Sequence, residues 1–272
     1  MISFKRDPTV FIWLNYRIFC LCSKVLYFAA MEKRNLCTVV SPRLLDLYSL
    51  KGAVVVIIDV FRATSTIATA LSNGANAVYP VASVAHCKEL GQRLGAITAG
   101  ERNGQVIEGL LHGNSPQEYP RSFIDGKDLV LTTTNGTKLL HMALEQGAAQ
   151  VITGSFVNLR SVLDFLLSSG KDVVLACSGW KDRFNIEDTL FAGAVVSEIG
   201  ASFAINCDSS LMASELYELH KNDMKTFIRQ TSHWHRLKAF GLEKDLEYCV
   251  TPGGAEVLPL YDKATGALTS KR

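Results

Sequence analysis

A chain of 272 residues, 48% hydrophobic and 20% charged, has enough apolar material for one large core or two closely packed lobes. A formal charge of +2 excludes a general attraction to nucleic acid or anionic membrane, so any anion site must be local. Seven cysteines (Cys20, Cys22, Cys37, Cys87, Cys177, Cys207 and Cys249) are odd in number and fall mostly in apolar stretches. That pattern fits free thiols in a reducing compartment, the cytoplasm, better than a disulfide framework.

Residues 1–30 read differently from the rest. Val10–Ala30 is apolar and aromatic, but Asn15, Arg17 and Lys24 interrupt it, and it falls short of the roughly 20 uncharged residues of a membrane span. It also lacks the small-residue cleavage site of a secretory signal. Met31 then opens MEKRNLCTVVSP, so 31–272 is read as the folded domain and 1–30 as an extension outside it, with translation starting at Met31 as one explanation. A segment lying on a membrane surface is the alternative.

Residues 35–40 predict a short strand, and Pro42 opens a short helix through Tyr48. The centre of the chain is Val54–Leu71, VVVIIDVFRATSTIATAL. Its unbroken run of β-branched residues suits a strand buried on both faces, as in a parallel sheet. Asp59 and Arg62 follow the strand, and the hydroxyls of Thr64, Ser65 and Thr66 fall where a helix N-cap is expected. A carboxylate, a guanidinium and hydroxyls at a strand end facing a helix start can hold an anion and a cation together.

The unit recurs. A shift of 73 positions, the offset from Thr64 to Thr137, aligns Ile57–Val78 with Val130–Val151 without a gap. After a small insertion, Ile97–Gly104 lies against Val173–Trp180. The period is too long for a solenoid. The expected fold is therefore three-layer α/β/α, built from two duplicated halves over about 35–125 and 126–205 with mixed or mostly parallel sheets. A helical segment and a last strand occupy 206–272.

Within the first half, Ala77–Val81 predicts a strand, Ser83 caps a helix to about Leu94, and Ile97–Ala99 predicts a third strand. Gly100–Tyr119 is a long connection with four glycines, carrying Glu101, Arg102, Asn114 and Ser115. Loops of that length are usually functional, with a surface excursion as the alternative. In the second half, the strand Leu129–Leu131 leads into Thr133, Thr134, Asn135, Gly136 and Thr137, a second oxyanion cradle before a helix. No G-x-x-x-x-G-K-[ST] and no G-x-G-x-x-G is present, which argues against a nucleoside-triphosphate loop or a dinucleotide turn.

Gln150–Thr153 and Val173–Cys177 predict two more strands. Beyond the second, Arg183 lies six residues after Cys177, and Glu187 and Asp188 open a helix. The helix dipole alone could place those acids; metal ligation is the sharper reading. Cys177 is either a small core residue or a nucleophile in the field of Lys181 and Arg183. Ala201–Ile205 predicts a short strand, 208–240 reads as helical, Glu256–Pro259 as a final strand and 262–272 as a frayed tail. His233 and His235 sit on different faces of a helix, which makes them a poor metal pair, although His233 and Arg236 could still reach the site.

The set VVIIDVFRATST, GERNG, GNSP, TTTNGT, GSFVN, CSGW-x-x-RFNIEDT and SHWHRL, in that order over about 35–260, resembles the 2-phosphosulfolactate phosphatase family. The resemblance implies a magnesium-dependent phosphomonoesterase that converts 2-phospho-3-sulfolactate to sulfolactate and phosphate, a step towards coenzyme M. Such chemistry needs carboxylates for Mg²⁺, here Asp59, Glu101, Glu187 and Asp188, and arginines for the anion, here Arg62, Arg102 and Arg183. The hydroxyls and amides of the two cradles add donors for the substrate. Attack by a metal-positioned water, oriented by Asp59, is the favoured route, and a phosphoenzyme on Asp59 or Cys177 is the alternative. A non-catalytic sensor of a phosphorylated metabolite is the competing function. The partner in either case is a small phosphorylated acid, not nucleic acid and not an inserted membrane, and the sequence leaves room for a homodimer.

Overall fold

A computed structural model describes residues 33–271. The expected extension over 1–30, with Cys20 and Cys22 and the start at Met31, lies outside the described residues. The strands are β1 (Leu36–Val39), β2 (Val54–Ile58), β3 (Ala77–Pro80), β4 (Ile97–Arg102), β5 (Gln105–Val106), β6 (Asp128–Thr132), β7 (Gln150–Gly154), β8 (Val173–Cys177), β9 (Leu258–Asp262) and β10 (Ala267–Lys271). The α-helices, in chain order, are α1 (Ala63–Ser72), α2 (Val84–Leu94), α3 (Arg121–Ile124), α4 (Gly136–Glu145), α5 (Leu159–Ser168) and α6 (Ile186–Ile199). They continue with α7 (Asp208–His220), α8 (Met224–Ile228), α9 (Ser232–Lys238) and α10 (Glu243–Cys249).

Both aliphatic runs, Val54–Ile58 and Val173–Cys177, are buried along their whole length. Alternate side chains of β2 enter different cores. Val54, Val56 and Ile58 pack with Leu166 of α5 and Leu190 and Phe191 of α6, whereas Val55 and Ile57 pack with Ile67 of α1 and Leu139 of α4. A smaller core joins Val130 of β6 to Cys87 and Leu90 of α2. A strand run that is apolar at every position has no solvent face, so helices must cover both sides. The result is the three-layer α/β/α fold.

The strands form one sheet in the order β1-β8-β2-β7-β9-β10-β3-β6-β4-β5. β2 pairs in parallel with β7 and β8, and β6 pairs in parallel with β3 and β4. The first strand of each repeat thus lies between the second and third strands of the other. Helices α1 and α4 keep the 73-residue offset, but the segments expected as halves interleave and do not pack as separate units.

The hairpin of β9 and β10 joins the two parallel groups, antiparallel to β7 through Ile152–Leu260 and to β3 through Leu268–Val78. The groups therefore run in opposite senses. Strand β10 corrects the expected frayed tail: Ala267 and Leu268 are buried, but five residues ending in Thr-Ser-Lys carry too little alternation to announce a strand. The strand expected over Ala201–Ile205 is instead a 3₁₀ turn, Gly200–Ser202, and a single bridge from Ala204 to Asn35. Much of the long connection is also ordered. β4 runs on to Arg102 and turns back into β5 through Asn103 and Gly104, both at positive φ.

Replacing Leu268 with Ala empties a fully buried position at the seam between the parallel groups. Urea unfolding is expected to show a loss of about 2–5 kcal/mol; a loss under about 0.5 kcal/mol, the size of an ordinary surface change, would show that the seam contributes little.

Candidate active site

The turns after β2 and β6 open on one cavity of about 350 Å³. Asp59 enters it from the end of β2, Arg62 from the start of α1, Glu101 from β4, Thr134 from the turn after β6, and His233 and Arg236 from α9. The pairing of β4 with β6, Gly100 opposite Thr132, brings Glu101 against Thr134. Its Oε1 accepts from the Thr134 amide (3.0 Å) and hydroxyl (2.9 Å), and its Oε2 accepts from the Gly104 amide (2.8 Å). Asp59 meets the first residue of α4, where a Cβ on Gly136 would stand 3.0 Å from Asp59 Oδ2. Glycine at that position lets the helix start approach the carboxylate.

Asp59 is only 6% exposed. Burial, and then the charge of Glu101, push its pKa up to about 6, against the opposing effects of His233, the Ser178 hydroxyl and the Ala63 amide. Arg62 is buried and already paired: its Nη1 lies 2.5 Å from Asp245 Oδ2, while Asp245 Oδ1 accepts from the Ser115 hydroxyl at 2.8 Å. His233 Nδ1 lies 2.5 Å from Glu187 Oε1, and Phe61 packs edge-on against its ring at 5.8 Å. The Arg236 guanidinium stacks 3.9 Å over the Trp180 ring. Burial lowers its pKa, Glu187 raises it, and Arg183 lowers it further. Asn114 lines the cavity, is 4% exposed, and its Oδ1 has no hydrogen-bond partner among the described residues.

Of the residues expected at the site, Asp59, Arg62, Glu101, Asn114, Thr134 and Asn135 line the cavity and Gly136 adjoins Asp59. The remaining hydroxyls serve the backbone or each other. Thr64 accepts from the Asp59 amide (3.2 Å), Ser65 donates to the Val60 carbonyl (3.0 Å), Thr66 donates to the Asn114 carbonyl (3.0 Å), and Thr133 and Thr137 meet at 3.4 Å. None of them caps α1, whose N-cap is Arg62 without a side-chain bond. Buried hydroxyls in a sheet-to-helix turn are consumed by nearby main-chain groups before any ligand arrives. Ser115 is engaged by Asp245, Arg102 folds back onto the Glu101 carbonyl (2.7 Å) and the Thr132 hydroxyl (3.1 Å), and Arg183 is exposed in a turn with Trp180.

Cys177 sits in the core with no exposure, and burial, reinforced by Asp188 and Glu187, pushes its thiol far up. A thiolate nucleophile needs access and a positive field, and this thiol has neither. Asp188 accepts from the amides of Val60 (2.9 Å) and Gly179 (3.0 Å) and from the Ser178 hydroxyl (3.3 Å), so it clamps the strand-end turns together. Burial, Glu187 and Asp59 push its pKa up.

The four carboxylates expected to share a metal are thus divided, and among the described residues no group of three or more His, Cys, Asp or Glu is placed to hold one. The cavity does gather two carboxylates and the orphaned amide oxygen of Asn114. That hard-oxygen set suits Mg²⁺, which takes few protein ligands and keeps several waters. The sequence reading left two anchors, Trp180 and Asp245, out of the site and held His233 and Arg236 only at its margin. His233 and Arg236, three residues apart on α9, share one face, a signal missed when attention fell on the His233-x-His235 spacing. Trp180 and Asp245 had no local signal; tertiary contact alone recruits them.

Fold and cavity together describe an α/β protein with a charged cavity at its strand ends. The chain belongs to the 2-phosphosulpholactate phosphatase family, a family of phosphoric monoester hydrolases, whose model matches residues 39–264. It is 40% identical to a "Probable 2-phosphosulfolactate phosphatase" of Thermotoga petrophila over 204 residues, covering 75% of this chain and 87% of that protein. It is 37% identical over 214 residues to one of the same name from Caldanaerobacter subterraneus, covering 77% and 88%. A Synechococcus protein of that name is 40% identical over 211 residues, covering 75% and 86%. No helix among the described residues is long and apolar enough to cross a membrane.

Two substitutions test these electrostatics in metal-free protein. The Asp59 carboxyl is raised from 3.8 to about 6 on folding, so the folded state binds the proton more tightly. Stability therefore falls as pH rises through that window and stays low above it, by about 3 kcal/mol in all. Asp59→Asn is expected to unfold at higher urea than the native chain at pH 7.5 and at a similar concentration at pH 4; lower stability at pH 7.5 would contradict the burial argument. Asp245→Ala strands the buried Arg62 charge and is expected to cost about 3–5 kcal/mol in the same experiment, whereas a cost below about 1 kcal/mol would mean that Arg62 finds water.

Proposed function

We propose that the chain hydrolyses 2-phospho-3-sulfolactate to 3-sulfolactate and phosphate with Mg²⁺ as cofactor. The observation that carries this reading is the meeting, in one cavity, of Asp59, whose ionisation burial and Glu101 disfavour, with Glu101 itself and two immobilised arginines. The Glu101 charge disfavours that of Asp59, and a bound cation would relieve the conflict. Asp59, Glu101 and the Asn114 amide oxygen would hold it. When bound, such an ion supplies charge neutralisation at the phosphoryl oxygens and a place for the attacking water.

The chain's own groups do the rest. Arg62 is fixed by Asp245 before substrate arrives, so its remaining donors meet phosphoryl oxygens without an ordering cost. Arg236, braced on Trp180, offers a second planar cation for the sulfonate or carboxylate end. Asp59 faces the phosphoryl position and orients the nucleophilic water. Thr134, held by Glu101, also lines the cavity. Phosphoryl transfer chiefly requires positioning and charge neutralisation, and these groups supply both.

Phosphate release from 2-phospho-3-sulfolactate is the direct test. Release is expected with Mg²⁺, lost with excess EDTA and recovered when Mg²⁺ is restored. Asp59→Ala should slow it by at least ~100-fold, the scale lost with one preorganised electrostatic group. Phosphoglycolate and 2-phospholactate in the same panel set the specificity. Saturable binding of these esters with no release under any metal would favour the sensor reading.

A further inference from the structure

We propose that His233, held in place by Glu187, is the acid that protonates the departing alcohol oxygen. This rests on the phosphatase reading above and adds the proton donor that reading lacks.

Glu187 has no exposure, although it lies in the first turn of α6. A helix-dipole role would leave it at the surface, where such an interaction is weak. Burying a carboxylate costs far more than that interaction returns unless the carboxylate is paired. Its Oε2 has no hydrogen-bond partner among the described residues, and its Oε1 has His233 Nδ1 at 2.5 Å. The histidine is thus what the buried carboxylate serves. Asn185 Nδ2 also approaches Nδ1, at 3.3 Å, but the shorter contact decides the tautomer: Nδ1–H donates to Glu187. That leaves Nε2 as the ring nitrogen free for the cavity, which His233 lines. Phe61 against the ring edge and Thr231 capping α9 fix its position.

Other cavity groups are unsuited to the task. Arg62 and Arg236 do not surrender protons, Thr134 and Trp180 are not acids near neutrality, and Asp59 and Glu101 are the oxygen donors for the cation. Histidine is the side chain that exchanges a proton in that range. The need is set by the substrate, since the alkoxide of a secondary alcohol is a poor leaving group. The P–O bond to the alcohol breaks with its electron pair going to that oxygen, which takes the Nε2 proton of the imidazolium. Water oxygen forms the new P–O bond and sheds one proton to solvent, and the neutral ring takes one back. Nδ1 keeps its proton throughout, donated to Glu187, which is a positioning residue.

The test compares two phosphate esters that differ in how much they need an acid. The native chain, His233→Ala and Glu187→Gln are assayed with Mg²⁺ on 2-phospholactate and on 4-nitrophenyl phosphate, whose phenolate leaves without help. His233→Ala is expected to lose ~10²–10⁴-fold in kcat on the alkyl ester and less than ~10-fold on the aryl ester, with Glu187→Gln showing the same imbalance in smaller measure. Nitrogen-15 NMR of the native chain without substrate should show His233 protonated at Nδ1, a signal that shifts in Glu187→Gln; this readout holds even if His233→Ala fails to fold. Equal losses on both esters, no loss on either, or a His233 ring protonated at Nε2 alone would overturn the assignment. Failure of the native chain to release phosphate from either ester would instead overturn the phosphatase reading on which it rests.

Discussion

The insertion of β2 between β7 and β8, and of β6 between β3 and β4, is the constraint on which the site depends. Each repeat lends its first strand to the other, so neither can close its core alone. The exchange brings the turn after β2 and the turn after β6 to one cavity. It also presses the first residue of α4 against the Asp59 carboxylate. The apolar runs of β2 and β8 hold the arrangement, since moving either strand would expose side chains buried on both faces.

The backbone is duplicated but the chemistry is not. At the 73-residue offset Asp59 falls on Thr132 and Arg62 on Asn135, and in the later alignment Glu101 falls on Cys177. One copy supplies Asp59, Arg62 and Glu101, its counterpart supplies hydroxyls, amides and a core thiol at the matching positions, and α9, outside the repeat, adds Arg236. Buried polar and ionisable groups nearby are partnered: Arg62 by Asp245, His233 by Glu187, and Asp188 by two amides and a hydroxyl. Burial and neighbouring charge raise the carboxyls of both Asp59 and Asp188, but only Asp59 of the two lines the cavity, beside Glu101, where a cation would relieve the conflict. Structure stored against stability at such a point is a common feature of active sites.

Much of this was legible in the sequence. The continuous β-branched runs, the repeat and the polar strand ends indicated an α/β/α sheet and put Asp59, Arg62, Glu101 and Thr134 near one another. Composition cannot say which hydroxyl faces a ligand and which one satisfies the main chain. Thr64, Ser65 and Thr66 are engaged by backbone groups, and Thr133 and Thr137 by each other, partners fixed only once the turn is folded. The interleaved order was also hidden, since periodicity identifies strands without naming their neighbours. Asp245, 183 residues from Arg62, and Leu268 at the seam depend on long-range contact and left no local trace.

The central claim is that both repeat turns grasp one oxyanion beside one cation. A crystal structure of the chain with Mg²⁺ and tungstate, a heavy phosphate mimic, tests it most directly. Expected are a single tungstate within hydrogen-bond reach of Arg62 and Thr134, and Mg²⁺ against the Asp59 carboxylate. Tungstate bound elsewhere, or Mg²⁺ coordinated away from Asp59 and Glu101, would contradict it.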